Sequence, residues 1–595
     1  MLAGGHSLRG ERLHPAAPQP IGAEGLTTAW TEEGLSGLLF SQVGYELGQP
    51  VRVVVRLPRR ELLPDGARCR LDPTGEGQAH ETPCSYWGEV WGSHWWVAEF
   101  APLGEVGTYG VRIGNDTETF ATGQGLRVAE DVLWEETIRL ASVDILERRK
   151  HFTKVGAGWQ DAGALWAESP AQSAMIIALT ELLVQTPELF DATFTARIHE
   201  QLTVGCDYLV MTQEKAEELG FPEGALSHDL LGHEKDILPH DASKAVVALL
   251  RTARLLPDKY ADRRDRYREV ARKAYAWVTG PAKPMGDYGL SRHQRGLTES
   301  VAIPNDEWQT RQLLMFCQAA LEMDREGRAG AQVEAVGYAR RVMDRQVTKD
   351  EPEEGYYGHF REYDSLPHTE KAWSHGIVPS PEGSQFGSDM GGIYPNYLLP
   401  LLELLERYPK HADASRWEDT LRRFTYGYLL PVCQKNPFYL LPLGIFAGEG
   451  PIWFCGPFHG TNTVYGYTAA LALELARYFN EPRLLPIAYG NLQWVAGLNG
   501  GITRENLEKG CVIFSTELPA NVALSASMIC GIGRRWAGTW FQTRGVICNG
   551  FSTGEQFKYD VEPKIENDGP FSLTDEDWIP HSAAWVTGLT RLKQL

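Results

Sequence analysis

Asp161 and the acidic triplet Asp575, Glu576 and Asp577 have the settings best suited to carboxyl chemistry. Asp161 lies in VGAGWQDAGALWAESPAQSAMIIALTELL, flanked by glycines and by Trp159 and Trp166, just ahead of an apolar periodic run. A carboxylate between two indoles at a helix entry can stand at a cavity mouth, with flat apolar faces on which the C–H faces of sugars pack. The same Asp also suits a plain turn or helix entry, because its side chain bonds nearby backbone N–H groups. The triplet lies in FSLTDEDWIPHSAAWVTGLTRL, directly before Trp578 and a helical pattern. Clustered carboxyls raise one another's pKa, as a general acid requires; as a simple cap they would complement the helix dipole.

Three further segments mix polar side chains with glycine and aromatics, as groups that hold sugar hydroxyls do. KAWSHGIVPSPEGSQFGSDMGG carries Trp373, His375 and Asp389, and IWFCGPFHGTNTVYG carries Trp453, His459 and Asn462. GIGRRWAGTW offers Arg534, Arg535 and Trp536, with Trp540 beyond; guanidinium groups there suit a carboxylate or sulfate on a ligand, or pair with nearby acids. In DILPHDASK a helix cap at Asp241 accounts for the His240–Asp241 pair. P-loop, dinucleotide, HExxH and EF-hand patterns in a fitting context are absent, so no organic cofactor and no required metal are expected.

Positioning these residues is a matter of two textures. Residues 1–36, rich in Gly, Pro and Ala, read as a poorly structured leader. From 37 to 128, LLFSQVGYELG, VRVVVRL, SYWGEVWGSHWWVAEF, GTYGVRIG and GLRVAED are short β-prone stretches between turn residues, which predicts a β-sandwich. From 129 to 595 the apolar period changes from two to about 3.6. In DASKAVVALLRTARLL, Ala242, Ala245, Val246, Leu249, Ala253 and Leu256 share a face, with Lys244 and Arg251 elsewhere. Helices are expected near 132–149, 170–186, 192–212, 241–256, 262–279, 304–323, 329–347, 391–407, 413–430, 462–479, 482–498 and 579–594. Joined alternately by short and long links, they form hairpins that can close into a double-walled (α/α)6 barrel. The long links, 150–169, 213–240, 280–303, 348–390, 431–461 and 499–578, would then gather at one end with most of the His, Trp and Gly that packing does not use.

Composition sets the outer limits. Apolar residues make up 43% and charged residues 23% of 595, which suits packed globular domains. The net charge of -20 repels phosphate backbones and anionic bilayers, so neither nucleic acid nor a membrane is an expected partner. Nine dispersed cysteines without CxxC pairs read as buried small hydrophobes in a reducing compartment. The opening MLAGGHSLRGERLHPAAPQP lacks an apolar signal core, which predicts a cytoplasmic location, or a secreted one if a signal has been removed.

Five segments in order resemble glycoside hydrolase family 9, the inverting cellulase-type family, across roughly residues 38–592. FSQVGYELGQPVRVVV resembles the start of its immunoglobulin-like N-terminal module, and GWQDAGALW its GWxDAGD loop. IPNDEWQTRQLLMFCQAAL is similar to its DExxWA helix, NLQWVAGLNGG to the turn ending in LGxNP, and DEDWIPHSAAWVTGL to the terminal NExxxxxNAA segment. The resemblance implies a glycosidase cleaving β-linked glucan or related oligosaccharides by inversion. It makes Glu576 the general acid and Asp161 a residue that holds or activates the attacking water, with Ser582 at a later Asn.

Two departures matter. The motif's second Asp, the family's base, falls on Ala164, and GIGRRWAGTW stands where a His-His-Arg element is usual. An inverting pair needs carboxyls about 6.5–9.5 Å apart, and a general base contributes about 10²–10⁴ in rate. Asp161 can serve as the base itself, which we prefer; Glu168 can fill the gap; or hydrolysis has been lost and binding kept. The alternatives to a glycosidase are therefore a non-hydrolytic carbohydrate-binding protein, or a lyase or epimerase of an anionic sugar using a base such as His375 or His459.

Overall fold

The computed structural model describes residues 37–150, 155–161, 167–284, 306–361, 364, 378–379, 385–386, 398–442, 444–446, 450–453, 462–499, 545, 547 and 578–595. The expected leader lies outside them.

Nine strands come first. One sheet has the order β1 (Leu38–Leu39), β3 (Val51–Leu57), β7 (Ser93–Phe100), β6 (Ser85–Val90). The other runs β2 (Tyr45–Glu46), β9 (Thr119–Ala129), β8 (Gly107–Gly114), β4 (Arg68–Pro73), β5 (His80–Pro83). All pairs are antiparallel except β2 with β9. The run VRVVVRL is apolar at almost every position because the four-stranded sheet is covered on both faces. Successive side chains of a strand point oppositely, so Val53 and Val55 enter the core between the sheets while Val54 enters the helical core. Trp96 and Trp95 divide in the same way. Trp91 stacks on Phe438 at 6.1 Å and meets Trp453 and Trp494 edge-on at 5.7 and 6.2 Å, fastening the sandwich to the helices.

Twelve helical rods follow among the described residues. They are α1 (Val132–Arg139, continued by a π turn at Leu140–Asp144 and by Ile145–Arg149), α2 (Ser169–Gln185), α3 (Ala192–Glu218) and α4 (Pro239–Leu255). Next are α5 (Ala261–Val278), α6 (Thr310–Arg325), α7 (Ala331–Asp344) and α8 (Leu399–Arg407). The remainder are α9 (Ala414–Arg423, continued through Phe424–Leu429 and Leu430–Cys433), α10 (Asn462–Phe479), α11 (Leu485–Val495) and α12 (Ile579–Leu592). Among the even-numbered helices α2 packs on α4, α4 on α6, α6 on α8, α10 on α12 and α12 on α2, and α8 approaches α10 through Glu406 and Arg477 at 3.9 Å. Burial records the two layers. Outer α5 hides one stripe, including Tyr267, Val270, Ala271, Ala274 and Val278, whereas inner α2 is buried at every position from Ser169 to Leu183.

Lys244 consequently departs from the expectation of a polar face. It is fully buried, in the stretch of α4 from Pro239 to Leu250 that is buried at every position. Burial pushes its ammonium well below the usual lysine range.

The inner helices run parallel, and their C-terminal turns are tied by a belt of ion pairs. Arg251 of α4 meets Glu181 of α2 at 2.9 Å and Glu322 of α6 at 2.6 Å; Arg325 of α6 meets Glu403 of α8 at 2.9 Å. Arg477 of α10 lies 3.9 Å from Glu406 of α8, and Arg591 of α12 lies 2.8 Å from Glu474 of α10 and 3.4 Å from Glu181. Each inner helix thus contributes charge to one circuit around a cavity of about 290 Å³.

Close approach of α10 and α12 depends on Gly466, where a Cβ would lie 2.5 Å from the backbone of Ala584. Gly466→Ala is expected to cost about 1–3 kcal/mol of stability by forcing these helices apart, measurable as a lowered midpoint in urea.

Candidate active site

The N-terminal ends of α2, α4 and α12 meet opposite the belt, and their contacts build the site. Three bonds clamp the loop before α2. The Gln172 side chain receives the Trp159 N–H at 2.9 Å and donates to the Trp159 carbonyl at 2.8 Å, and Arg149 donates to the Gln160 carbonyl at 3.0 Å. Gly158 sits at φ +73°, and a Cβ there would come within 2.6 Å of the Tyr208 ring, so the turn requires glycine twice over. What the clamp delivers is Asp161, 1% exposed, with Oδ2 accepting the Glu168 N–H at 3.0 Å. The Asp161 and Glu168 carboxyls also share a side-chain hydrogen bond.

Glu168 occupies the position just before α2 without a side-chain capping bond, and Pro170 follows in the first turn, where its missing N–H costs nothing. The link before α4 closes over this corner: Ser169 N–H donates to the His228 carbonyl at 2.7 Å, and Leu230 N–H to the Tyr208 hydroxyl at 3.0 Å. His228 Nε2 then lies 3.6 Å from Glu168 Oε1, and Nδ1 lies 2.8 Å from Asp241 Oδ2 on α4. Asp241 stands in the first turn of α4, but its side chain holds an imidazole rather than capping the helix. Asp229 accepts the N–H groups of Leu231 and His233 at 2.7 and 2.9 Å, which fixes the turn carrying His228.

Electrostatics separate the two carboxyls. Burial, then the neighbouring Glu168 and Asp229 charges, push the Asp161 carboxyl well above the usual range. Burial opposes ionisation of Glu168 also, but His228 outweighs it and holds that carboxyl below its usual value. His228 is buried too, yet Asp241 and Glu168 raise its imidazole well above the ordinary histidine range. The two neighbouring carboxyls are thus driven in opposite directions, Asp161 toward holding its proton and Glu168 toward ionisation.

The twelfth helix completes the corner, with Ile579 N–H donating to the Asp161 carbonyl at 2.8 Å. Trp578, half-buried, precedes it and meets His581 edge-on at 5.6 Å. His581 is buried, which pushes it down to about 3, and its Nδ1 lies 2.6 Å from the Thr463 hydroxyl of α10.

Of the residues singled out in the sequence, Asp161 and Trp578 stand together here, through Ile579. Trp159 does not serve as a sugar platform: its ring is wholly buried against Gly205, with the indole N–H on Gln201 at 2.9 Å. Trp453 is 7% exposed and belongs to the aromatic junction with the sandwich. Glu576, Ala164, Trp166, Trp373, His375, His459, Arg534, Arg535 and Trp536 lie outside the described residues. Sequence reasoning passed over His228, Asp229 and Lys244; the visible signal was two His-Asp dipeptides, 228–229 and 240–241, bounding one long link.

No family model matches the sequence, and no curated protein matches it. Solved structures do. A metagenome-derived glycoside hydrolase family 9 endoglucanase superposes with a TM-score of 0.61 at 18% identity, covering 94% of this chain and 99% of that one. Bacteroides ovatus GH9 gives 0.58 at 13% identity over 94% and 98%. AaCel9A, solved with cellobiose-like isofagomine, gives 0.55 at 13% over 94% and 100%. At these identities the likeness is one of fold: a β-sandwich followed by a helical barrel, built as in endoglucanases of glycoside hydrolase family 9.

Proposed function

We propose that this protein is a glycoside hydrolase that cleaves β-linked glucan or related oligosaccharides with inversion. On this reading the sandwich is an immunoglobulin-like module and the helical ring an (α/α)6 barrel. Glu576 protonates the departing glycosidic oxygen, and Asp161 positions the water. The observation that carries the reading is the bond between Ile579 N–H and the Asp161 carbonyl, which joins two segments remote in sequence at the mouth of the ring. Residue 576 is three positions from Ile579, and three residues span at most about 10 Å, so a carboxyl there is within reach of the separation that inversion requires.

The ligand is then an oligosaccharide or polysaccharide, with Trp578 available as a stacking ring. Arg534, Arg535 and Trp536, with Trp166, Trp373, His375 and His459, are assigned to the sugar subsites. The test is a reducing-end and mass-spectrometric screen over β-glucans, chito-oligosaccharides and uronic-acid oligomers, with anomeric NMR of any hit. Release of the inverted anomer supports the assignment. Tight binding with no new reducing ends after long incubation overturns it in favour of a binding protein.

A further inference from the structure

An inverting hydrolase needs a base, and position 164 offers only a methyl group. Asp161 is poorly placed to replace it. Its side chain is 1% exposed, one oxygen is engaged by the Glu168 N–H, and burial pushes its carboxyl well above the usual range. Glu168 differs in exposure and in its charge partner. Its side chain is 15% exposed, against 1% for Asp241 behind it. One of its oxygens faces the His228 ring, which is itself held by Asp241. Paired titratable groups whose surroundings drive their proton affinities apart are the pattern from which acid and base roles are assigned.

We propose that Glu168 is the general base of this hydrolysis, in place of the carboxylate lost at Ala164, with His228 and Asp241 as positioning residues that hold it toward the cleft. The inference rests on the glycosidase reading above. In the step, the water oxygen bonds to the anomeric carbon as the glycosidic C–O bond breaks; the water proton passes to Glu168 and the Glu576 proton to the leaving oxygen. Glu168 ends protonated and Glu576 ionised, and exchange with solvent restores both. The other charged or titratable groups facing Glu168 are Asp161, Tyr208 of α3, His233 of the link and Lys244 of α4; Asp229 faces Asp161.

The experiment uses full-length protein and a β-glycosyl fluoride of the sugar that the screen identifies, since fluoride leaves without a proton. Glu168→Ala is expected to lower kcat by roughly 10²–10⁴, and azide, which needs no deprotonation, to restore turnover as the α-glycosyl azide. Glu576→Gln should retain fluoride hydrolysis. Glu168→Gln, of equal size, controls for folding through its melting temperature. His228→Gln removes the cation beside Glu168, so the acidic limb of kcat/KM should move to higher pH; a merely structural role would lower the plateau and leave the limb in place. Wild-type rates in Glu168→Ala, or a loss in a folded variant that azide does not restore, would overturn the assignment and leave the glycosidase standing. A wild-type enzyme inactive on every sugar tested would remove both.

Discussion

Glu576→Gln is expected to lower kcat on an unactivated β-glycoside by roughly 10²–10⁴, with folding and oligosaccharide binding preserved. The amide matches the carboxyl in size and accepts and donates hydrogen bonds, but it has no acidic proton for the departing oxygen. The loss should therefore fall on kcat, with KM changed little, because protonation develops in the transition state. It should shrink for aryl leaving groups that depart readily as anions. Calorimetry with the uncleaved oligosaccharide checks binding, and a thermal melt checks folding. Full activity of the variant on the natural leaving group would remove Glu576 from the mechanism.

Arg251→Met is expected to cost about 3–5 kcal/mol of stability. Its guanidinium serves Glu181 and Glu322 together, and the Glu322 side chain is only 2% exposed. Methionine fills much of the space yet leaves two carboxylates facing a partly buried gap. Burial alone would raise the Glu322 carboxyl, but Arg251 and Arg254 override it and hold it below its usual value. A carboxyl with a depressed folded-state pKa stabilises above its unfolded pKa of about 4.5, and that stability fades as pH falls through the folded value. The wild-type protein should therefore lose stability on acidification below pH about 4.5, and the variant should show a weaker dependence there. Urea titrations at several pH values measure both; an unchanged midpoint in Arg251→Met would mean that neighbouring arginines replace it.

Helices were legible wherever one period ran long enough. The expected spans 170–186, 262–279, 462–479 and 579–594 match α2, α5, α10 and α12 to within two residues at each end. Ends set by tertiary contact were harder to read. α6 begins at Thr310 rather than near 304, and α3 continues to Glu218 instead of stopping near 212. Lys244 shows why polarity misleads: a charged residue on a repeating pattern reads as the wet face, but the first three turns of α4 are buried all round. Trp159 fails for a related reason, since neighbouring glycines suggest an open loop, whereas Gly158 and Gly205 are small so that rings can pack against them. In the site, Asp161 was visible through its motif. His228 was not, because its role arises from an Asp on another helix, 13 positions away, and from a carboxyl across the corner.

The seam between α12 and the first helices has a consequence for how the protein comes to exist. Trp585 of α12 donates its indole N–H to Thr137 of α1 at 2.9 Å, a contact between residues 448 positions apart. Contacts so remote form late, because the intervening chain must be ordered before they are rewarded. A nascent chain emerging from the ribosome would carry apolar flanks on α2 and α10 with nothing between them until α12 arrives. The Ile579–Asp161 bond forms in that same event, so catalysis would begin only when the circle is shut, and activity would report completed folding rather than partial folding.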